Sequence, residues 1–206
     1  FGHGIAISSG RYIRLIGNTI RNCSGHGIQL YAGATRATIR DVVIRDNRIL
    51  DNGHVPRSDG IRFGSREDAK KPTISRVVVR NNLLTGNAAA GIRFATEALD
   101  DIEISHNTFL RNGNDFMRGG EAVFDAGLTI KGVTLRQNLF VPAKVALQGW
   151  RNTSGVVFEK NYIDGNPGSR ATMTHGNMTG KATFREENRG ELESLDPPMQ
   201  QIGYTP

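Results

Sequence analysis

Cysteine and tryptophan are nearly missing from this 206-residue sequence, which holds one of each, Cys23 and Trp150. A lone cysteine closes no internal disulfide, which excludes a small stapled extracellular scaffold. Helical periodicity is missing as well: no long stretch carries apolar side chains at a 3.6 spacing. No apolar run is long enough to span a membrane or to form a secretory leader. There is no initiator methionine; the sequence opens on Phe1-Gly2-His3-Gly4-Ile5, already inside a repeating pattern. The expectation is that earlier coils and an N-terminal cap precede residue 1.

What the sequence has in quantity is glycine, 25 residues, and positive charge, +6 net. Acidic partners are therefore favoured. The arginines and lysines are scattered through turns and loops and mark out no recognition helix, so nucleic acid is not the expected partner.

The dominant feature is a repeat. Asn82-Leu83-Leu84-Thr85-Gly86-Asn87 leads to Gly91-Ile92-Arg93-Phe94, and Asn47 to Asn52 leads in the same way to Gly60-Ile61-Arg62-Phe63. Asn18, Asn47, Asn82, Asn107, Asn138 and Asn161 begin successive units, at spacings of 29, 35, 25, 31 and 23 residues. Each unit holds three short apolar pieces of period two, bounded by Gly, Asn and Asp, which are strand signals. Such strands are too short to stand alone. Stacked unit on unit, each pairs with its equivalent in the next coil, giving three parallel sheets around a narrow core. The first asparagine of each unit would then sit at a corner, where Asn tolerates left-handed backbone, and would hydrogen-bond from coil to coil. Asn22, Asn52, Asn87, Asn112 and Asn166 would form a second column. A minimal coil needs about two dozen residues, and the excess leaves as loops after Tyr31, around His54, from Gly64 to Pro72 and from Gly113 to Gly120.

This recurring Asn-x-(Ile/Leu/Phe)…Asn-Gly…Gly-Ile-x-(Leu/Phe) pattern resembles the right-handed parallel β-helix proteins of the pectate-lyase-like superfamily. The resemblance implies an all-β, single-stranded, right-handed parallel β-helix of six to seven coils. The coils are expected over residues 1–166 and an irregular C-terminal cap over residues 167–206. The superfamily holds polysaccharide lyases, glycosidases, epimerases, tailspikes and noncatalytic repeat proteins. It further implies an acidic polysaccharide partner, no membrane, and a secreted or periplasmic bacterial setting. Oligomeric state is left open.

Aligning units on the Gly-Ile step assigns faces by alternation. Ile5, Ile28, Ile61, Ile92 and Val123 are expected inward, with Ala6, Gln29, Arg62, Arg93 and Phe124 outward. The position before the glycine gives another outward column, His3, His26, Asp59, Ala90 and, at the equivalent place, Glu121. The outer face thus gathers His26, Asp59, Arg62, Arg93 and Glu121 within a few coils, with Tyr31, His54, Arg57, Lys70, Lys71 and Arg118 on adjoining loops.

Two readings of that cluster compete. Asp59 is simply the counter-ion of the stacked arginines, or the cluster receives a uronate chain. In the second reading Arg62 and Arg93 neutralise the sugar carboxylate, His26 or Lys70 or Lys71 takes the alpha proton, and Tyr31 protonates the leaving oxygen. Asp59 orients His26, and Gln29, His54, Arg57, Arg118 and Glu121 line the groove. β-Elimination leads. Rivals are a noncatalytic carbohydrate-binding solenoid, and an inverting hydrolase using Asp59 and Glu121 about 9 to 10 Å apart. No cofactor is expected. Calcium would have only Asp100 with Asp101, or Asp115 with Asp125, and neither pair makes a full oxygen set. Trp150 reads as a shield over the last coil.

Overall fold

A computed structural model describes residues 2–54, 58–68, 73–114, 119–149, 153, 155–168, 175–182, 184–187 and 191–194. The chain winds in coils of three strands. The first holds β1 (Ile5–Ile7), β2 (Gly10–Ile16) and β3 (Thr19–Arg21); the second, β4 (Ile28–Ala32), β5 (Ile39–Arg45) and β6 (Arg48–Leu50). The third is β7 (Ile61–Ser65), β8 (Ile74–Arg80) and β9 (Leu83–Thr85); the fourth, β10 (Ala90–Ala95), β11 (Leu99–Ser105) and β12 (Thr108–Leu110). The fifth is β13 (Gly120–Phe124), β14 (Lys131–Arg136) and β15 (Leu139–Val141); the sixth, β16 (Leu147–Gln148), β17 (Gly155–Glu159) and β18 (Tyr162–Ile163). A further strand, β19 (Met178–Thr179), and an antiparallel pair, β20 (Phe184–Glu187) with β21 (Glu191–Ser194), follow.

Equivalent strands pair in parallel. Sheet A is β1-β4-β7-β10-β13-β16, sheet B runs from β2 to β17, and sheet C from β3 to β19. There is no helix among the described residues, and the all-β, three-sheet right-handed solenoid is as expected. The stacking continues past residue 166, because β19 pairs with β18 and Asn177 carries on the asparagine column.

The core is filled by side chains that recur at the same place in each coil. On sheet A, Phe63, Phe94 and Phe124 stack at 5.3 and 5.0 Å between ring centroids. On sheet C, Phe109 and Phe140 stack at 4.9 Å. All are buried, and each ring pair adds roughly 0.5–1.5 kcal/mol to the area it removes from water.

The first asparagine column forms as a continuous ladder. Asn82 Nδ2 donates to Asn107 Oδ1 at 2.9 Å and to the Ile44 carbonyl at 2.9 Å, while Asn82 Oδ1 accepts from the backbone N–H of Asn47 at 3.0 Å. Each amide thus satisfies backbone groups that the corner leaves open. The left-handed residue, however, is the one before the asparagine: Gly17, Asp46, Asn81, His106, Gln137 and Lys160 all have φ between 50° and 67°. The asparagine is there for its hydrogen bonds, not for its backbone tolerance.

The second column is shorter than expected. It runs Asn52, Asn87 and Asn112. Asn22 lies in the left-handed position one residue earlier, at φ 56°, and Cys23 occupies the ladder place, its N–H donating to Asn52 Oδ1 at 3.1 Å. Asn166 is exposed and caps a turn by accepting from Gly168 N–H.

One register differs. In the fifth coil Ala122, not Val123, pairs with Ile92, and Phe124 pairs with Phe94. Phe124 is therefore inward and Val123 outward. That coil has no Gly-Ile step, and the phenylalanine stack sets the register instead.

Candidate functional site

The outer face of sheet A carries a column of Ala6, Gln29, Arg62, Arg93, Val123 and Gln148, each in register with the next. Two residues further along the strands, Tyr31 pairs with Gly64 and Gly64 with Ala95. The corner column before the sheet is His3, His26, Asp59 and Ala90. Arg62 and Arg93 are thus neighbours on one face, as the alternation predicted.

The corner column is a hydrogen-bonded stack. His26 N–H donates to His3 Nδ1 at 3.0 Å, and Asp59 N–H donates to His26 Nδ1 at 2.8 Å. The two imidazoles are stacked, their centroids 5.0 Å apart and their planes within 8° of parallel. With Nδ1 of each ring accepting, the proton sits on Nε2 and both rings are neutral. Burial, then the nearby Arg62 charge, pushes the His26 pKa down to about 3. The 3.6 Å approach of His26 Nδ1 to the Asp59 carboxylate is therefore not an ion pair at neutral pH. His26 has neither a spare lone pair nor the basicity that the expected proton abstraction needs.

Asp59 is buried completely, and its carboxylate is shared. Arg93 Nε donates to Oδ1 at 2.9 Å, and Arg62 Nη1 reaches Oδ2 at 3.4 Å. Burial raises the Asp59 pKa to about 6, the Arg93 charge holding it back from rising further. Arg93 is 8% exposed and its other arm donates to Asp125 Oδ1 at 2.8 Å. Clamped between two aspartates, Arg93 is neutralised internally and cannot meet a ligand carboxylate without losing a partner. Asp59 is its counter-ion, the first of the two readings.

Arg62 differs. Its side chain is 25% exposed, its one ionic contact is long, and Tyr31 lies beside it, 41% exposed. A methyl group added to Gly64 would meet the Tyr31 ring at 3.0 Å and Arg62 Nε at 4.0 Å. Glycine at 64 lets the ring lie over the sheet next to the guanidinium, with half-buried Gln29 completing the open floor. Past the third coil this face closes, since Arg93 and Val123 are buried. The outer face of sheet C is closed as well at Leu83, Thr108 and Leu139.

Glu121 is not on this face. It falls at the glycine position of the fifth coil and turns into the second asparagine column, where its carboxyl accepts from Asn112 N–H at 3.1 Å and from Asn112 Nδ2. It is fully buried, and burial raises its pKa to about 8. The shifted register of that coil is the cause. The Asp59–Glu121 pair of an inverting hydrolase is accordingly not assembled on a common face. His54 is exposed at the bend between β6 and β7. Arg57, Lys70, Lys71, Asp115, Arg118 and Trp150 lie outside the described residues.

Asp125 is the residue that sequence reasoning missed as a partner of Arg93. Aligning Phe94 with Phe124 would have placed it on the outer face, next to Ala95. Of the carboxylates considered for calcium, Asp125 is engaged by Arg93, Asp115 lies outside the described residues, and Asp100 and Asp101 sit on sheet B. No group of three or more His, Cys, Asp or Glu side chains gathers among the described residues.

No curated protein sequence matches this one. Two solved structures align with it: the PL6 family alginate lyase AlyGC, at 13% identity and TM-score 0.50 over 97% of this chain, and an arginine-to-alanine mutant of the same enzyme, at 13% identity and TM-score 0.50 over 93%. The chain spans 36% and 34% of those two proteins, about a third of their length, and the likeness is one of fold. The sequence profile described as "Right handed beta helix region" matches residues 1–109 and 44–188. The chain belongs to the right-handed β-helix family.

Proposed function

We propose that this chain binds a uronate-containing polysaccharide across the outer face of sheet A in coils one to three. The observation that carries the reading is the exposed Tyr31 ring lying over Gly64 beside the partly exposed Arg62. A flat aromatic surface takes the apolar face of a sugar ring. A guanidinium with a weak internal partner takes the carboxylate, bidentately where the sugar presents it edge-on. Gln29, next to Arg62 in register, offers a donor and an acceptor to ring hydroxyls. A polymer of this kind does not cross membranes, so the reading places the protein outside the cytoplasm, secreted or periplasmic. The alginate lyases that share the fold act on such a polymer, which supports the ligand class.

Cleavage by β-elimination is the second reading, favoured by the closeness of a phenol to a guanidinium. Arg62 would neutralise the carboxylate and so acidify the proton alpha to it. Tyr31 would protonate the departing glycosidic oxygen. With the Nδ1 lone pair of His26 committed, the base would come from Lys70 or Lys71, on the segment between β7 and β8.

The test is incubation with alginate, polygalacturonate and a glycosaminoglycan, read by affinity electrophoresis and by ultraviolet absorbance of the conjugated product. Retention that falls at least about fivefold in Tyr31→Ala supports the binding face, one lost aromatic contact accounting for roughly 1 kcal/mol. Retention that is absent, or unchanged by Tyr31→Ala and Arg62→Gln, overturns it. Binding without new absorbance leaves a noncatalytic carbohydrate-binding solenoid and removes the lyase.

A further inference from the structure

Sheet B carries a second concentration of positive charge that the reading above does not use. Its outer face in the first three coils holds six arginines, Arg11, Arg14, Arg40, Arg45, Arg76 and Arg80, among Tyr12, Ile16, Asp41, Val43, Ser75 and Val78. Arg11 pairs in register with Arg40, and Arg45 with Arg80, while Arg14 heads the column that continues as Val43 and Val78. Coils are about 4.8 Å apart, so each in-register pair sets two like charges side by side on neighbouring strands, an arrangement that is destabilising when unrelieved.

The carboxylates on this face relieve only part of it. Asp41 is taken by Arg76, which holds it with two bonds of 2.6 and 2.9 Å, and Asp46 is taken by Arg45. Arg11, Arg14, Arg40 and Arg80 have no carboxylate within ion-pair distance among the described residues. Arg40 donates to Thr38 Oγ1, and the Arg11 guanidinium lies 5.5 Å from the centre of the Tyr12 ring.

Tyr12 is the other unusual member. It stands in the left-handed position that recurs in the middle of the first five sheet B strands, occupied in later coils by Asp41, Arg76, Asp101 and Gly132. A left-handed φ of 59° on a bulky aromatic residue is unfavourable. The ring gains little from packing in return, being 71% exposed. It presents a flat apolar surface at the edge of the arginine cluster.

We propose that the outer face of sheet B in coils one to three is a second binding face for an acidic polysaccharide, with Arg11, Arg14 and Arg40 holding sugar carboxylates and Tyr12 supporting a sugar ring. The proposal shares its ligand class with the sheet A reading and rests on separate residues. Two other occupants are disfavoured. A polyphosphate backbone would run into Asp100, Asp101 and Glu103, which replace the arginines one coil beyond Arg80. A polyuronate, with one charge per ring and apolar ring faces, needs only a few arginines and an aromatic. A second copy of this chain would have about 14 by 23 Å of surface here, roughly 300 Å². A stable interface needs roughly 800 Å² per partner.

The test uses the full chain with alginate as probe, and dextran and a short DNA duplex as comparisons. Three variants are compared: Arg11→Ala with Arg14→Ala and Arg40→Ala; the same three positions changed to Lys; and Tyr31→Ala with Arg62→Gln. These three arginines lie on the outer face, so an unchanged melting temperature establishes that the fold is kept. The alanine variant is expected to lose at least about tenfold in alginate affinity, since three donors of charge-assisted hydrogen bonds are removed. The lysine variant should recover part of that, charge being kept and the planar fork lost. If the alanine variant binds alginate within about twofold of wild type, the proposal is overturned. The same holds if DNA binds more tightly than alginate and the alanine changes abolish it, or if they alter the oligomeric mass. A loss confined to the Tyr31 and Arg62 variant leaves sheet A alone as the site. A loss confined to the arginine variant overturns the sheet A reading and keeps this one.

Discussion

Glu121 gives the fold a pH dependence that one substitution should remove. Its carboxyl is wholly buried at the end of the Asn52–Asn87–Asn112 column, in the place where a further asparagine would stand. An amide is neutral at every pH, but a carboxyl must be held protonated there. Burial raises its pKa from 4.5 to about 8, against hydrogen bonds from Asn112 and from the backbone at Ala143 and Arg111 that favour the charged form. In the unfolded chain the group ionises near its ordinary value. Between those two values the native state binds one more proton than the unfolded state, so stability falls as pH rises. The favourable contribution is complete below about 4.5 and gone above about 8. At roughly 1.4 kcal/mol per pH unit the whole span has a ceiling of about 5 kcal/mol.

The part above pH 6.5 isolates Glu121. Asp59, raised to about 6, has the same sign but is already mostly ionised by then and has little left to contribute. His26, lowered to about 3, has the opposite sign: its contribution is present above about 6.5 and is lost only as pH falls below that. From pH 6.5 to pH 9 wild type should lose about 2 kcal/mol through Glu121, or roughly 4–8 °C in melting temperature for a chain of this size. Glu121→Gln keeps the shape and supplies an amide like those of the column below. It should match wild type within about 1 kcal/mol at pH 5 and exceed it by the full difference at pH 9. Thermal melts of both proteins at half-unit steps provide the comparison, and titrations common to both cancel in the difference. Curves that stay parallel from pH 6.5 to 9 would show that Glu121 is either already ionised in the native state or reached by water, and the account of the column end would be wrong.

Asn82→Ala should cost roughly 3 kcal/mol or more, because the N–H groups of Asn47 and the Ile44 carbonyl lose their buried partner together; a urea midpoint that shifts by less than a third of that would argue against the ladder as a stabilising element. Arg93→Gln should cost about 3–5 kcal/mol by leaving the buried Asp59 with only the long Arg62 contact. That deficit should widen from pH 5 to pH 8 as Asp59 is driven to ionise, and adding Asp59→Asn should return part of it; a deficit independent of pH, measured by chemical denaturation, contradicts the counter-ion assignment.

The architecture was open to sequence reasoning because a solenoid repeats its own test. Asn18, Asn47, Asn82, Asn107, Asn138 and Asn161 stack because each satisfies the same corner, and six copies of one hydrogen-bonding pattern are hard to mistake. The pairing of Arg62 with Arg93 followed from the same spacing. What a repeat conceals is the coil that departs from it. In the fifth coil Gly120-Glu121-Ala122 stands where Gly-Ile is expected, and the choice between two registers one residue apart depends on which side chains fill the core. The phenylalanine stack selects the register with Phe124 inside, and three consequences come with it: Val123 turns outward, Glu121 replaces an amide in the column, and Asp125 reaches Arg93. Residue types in a pattern give the address of a side chain, but not which of its neighbours has already claimed its charge. His26 and Arg93 read as reactive because a histidine and an arginine on one face of a sheet suggest chemistry. The hydrogen bonds to His3, Asp59 and Asp125 commit them to holding the corner together, which moves the accessible chemistry one step along the strands, to Tyr31 and Arg62.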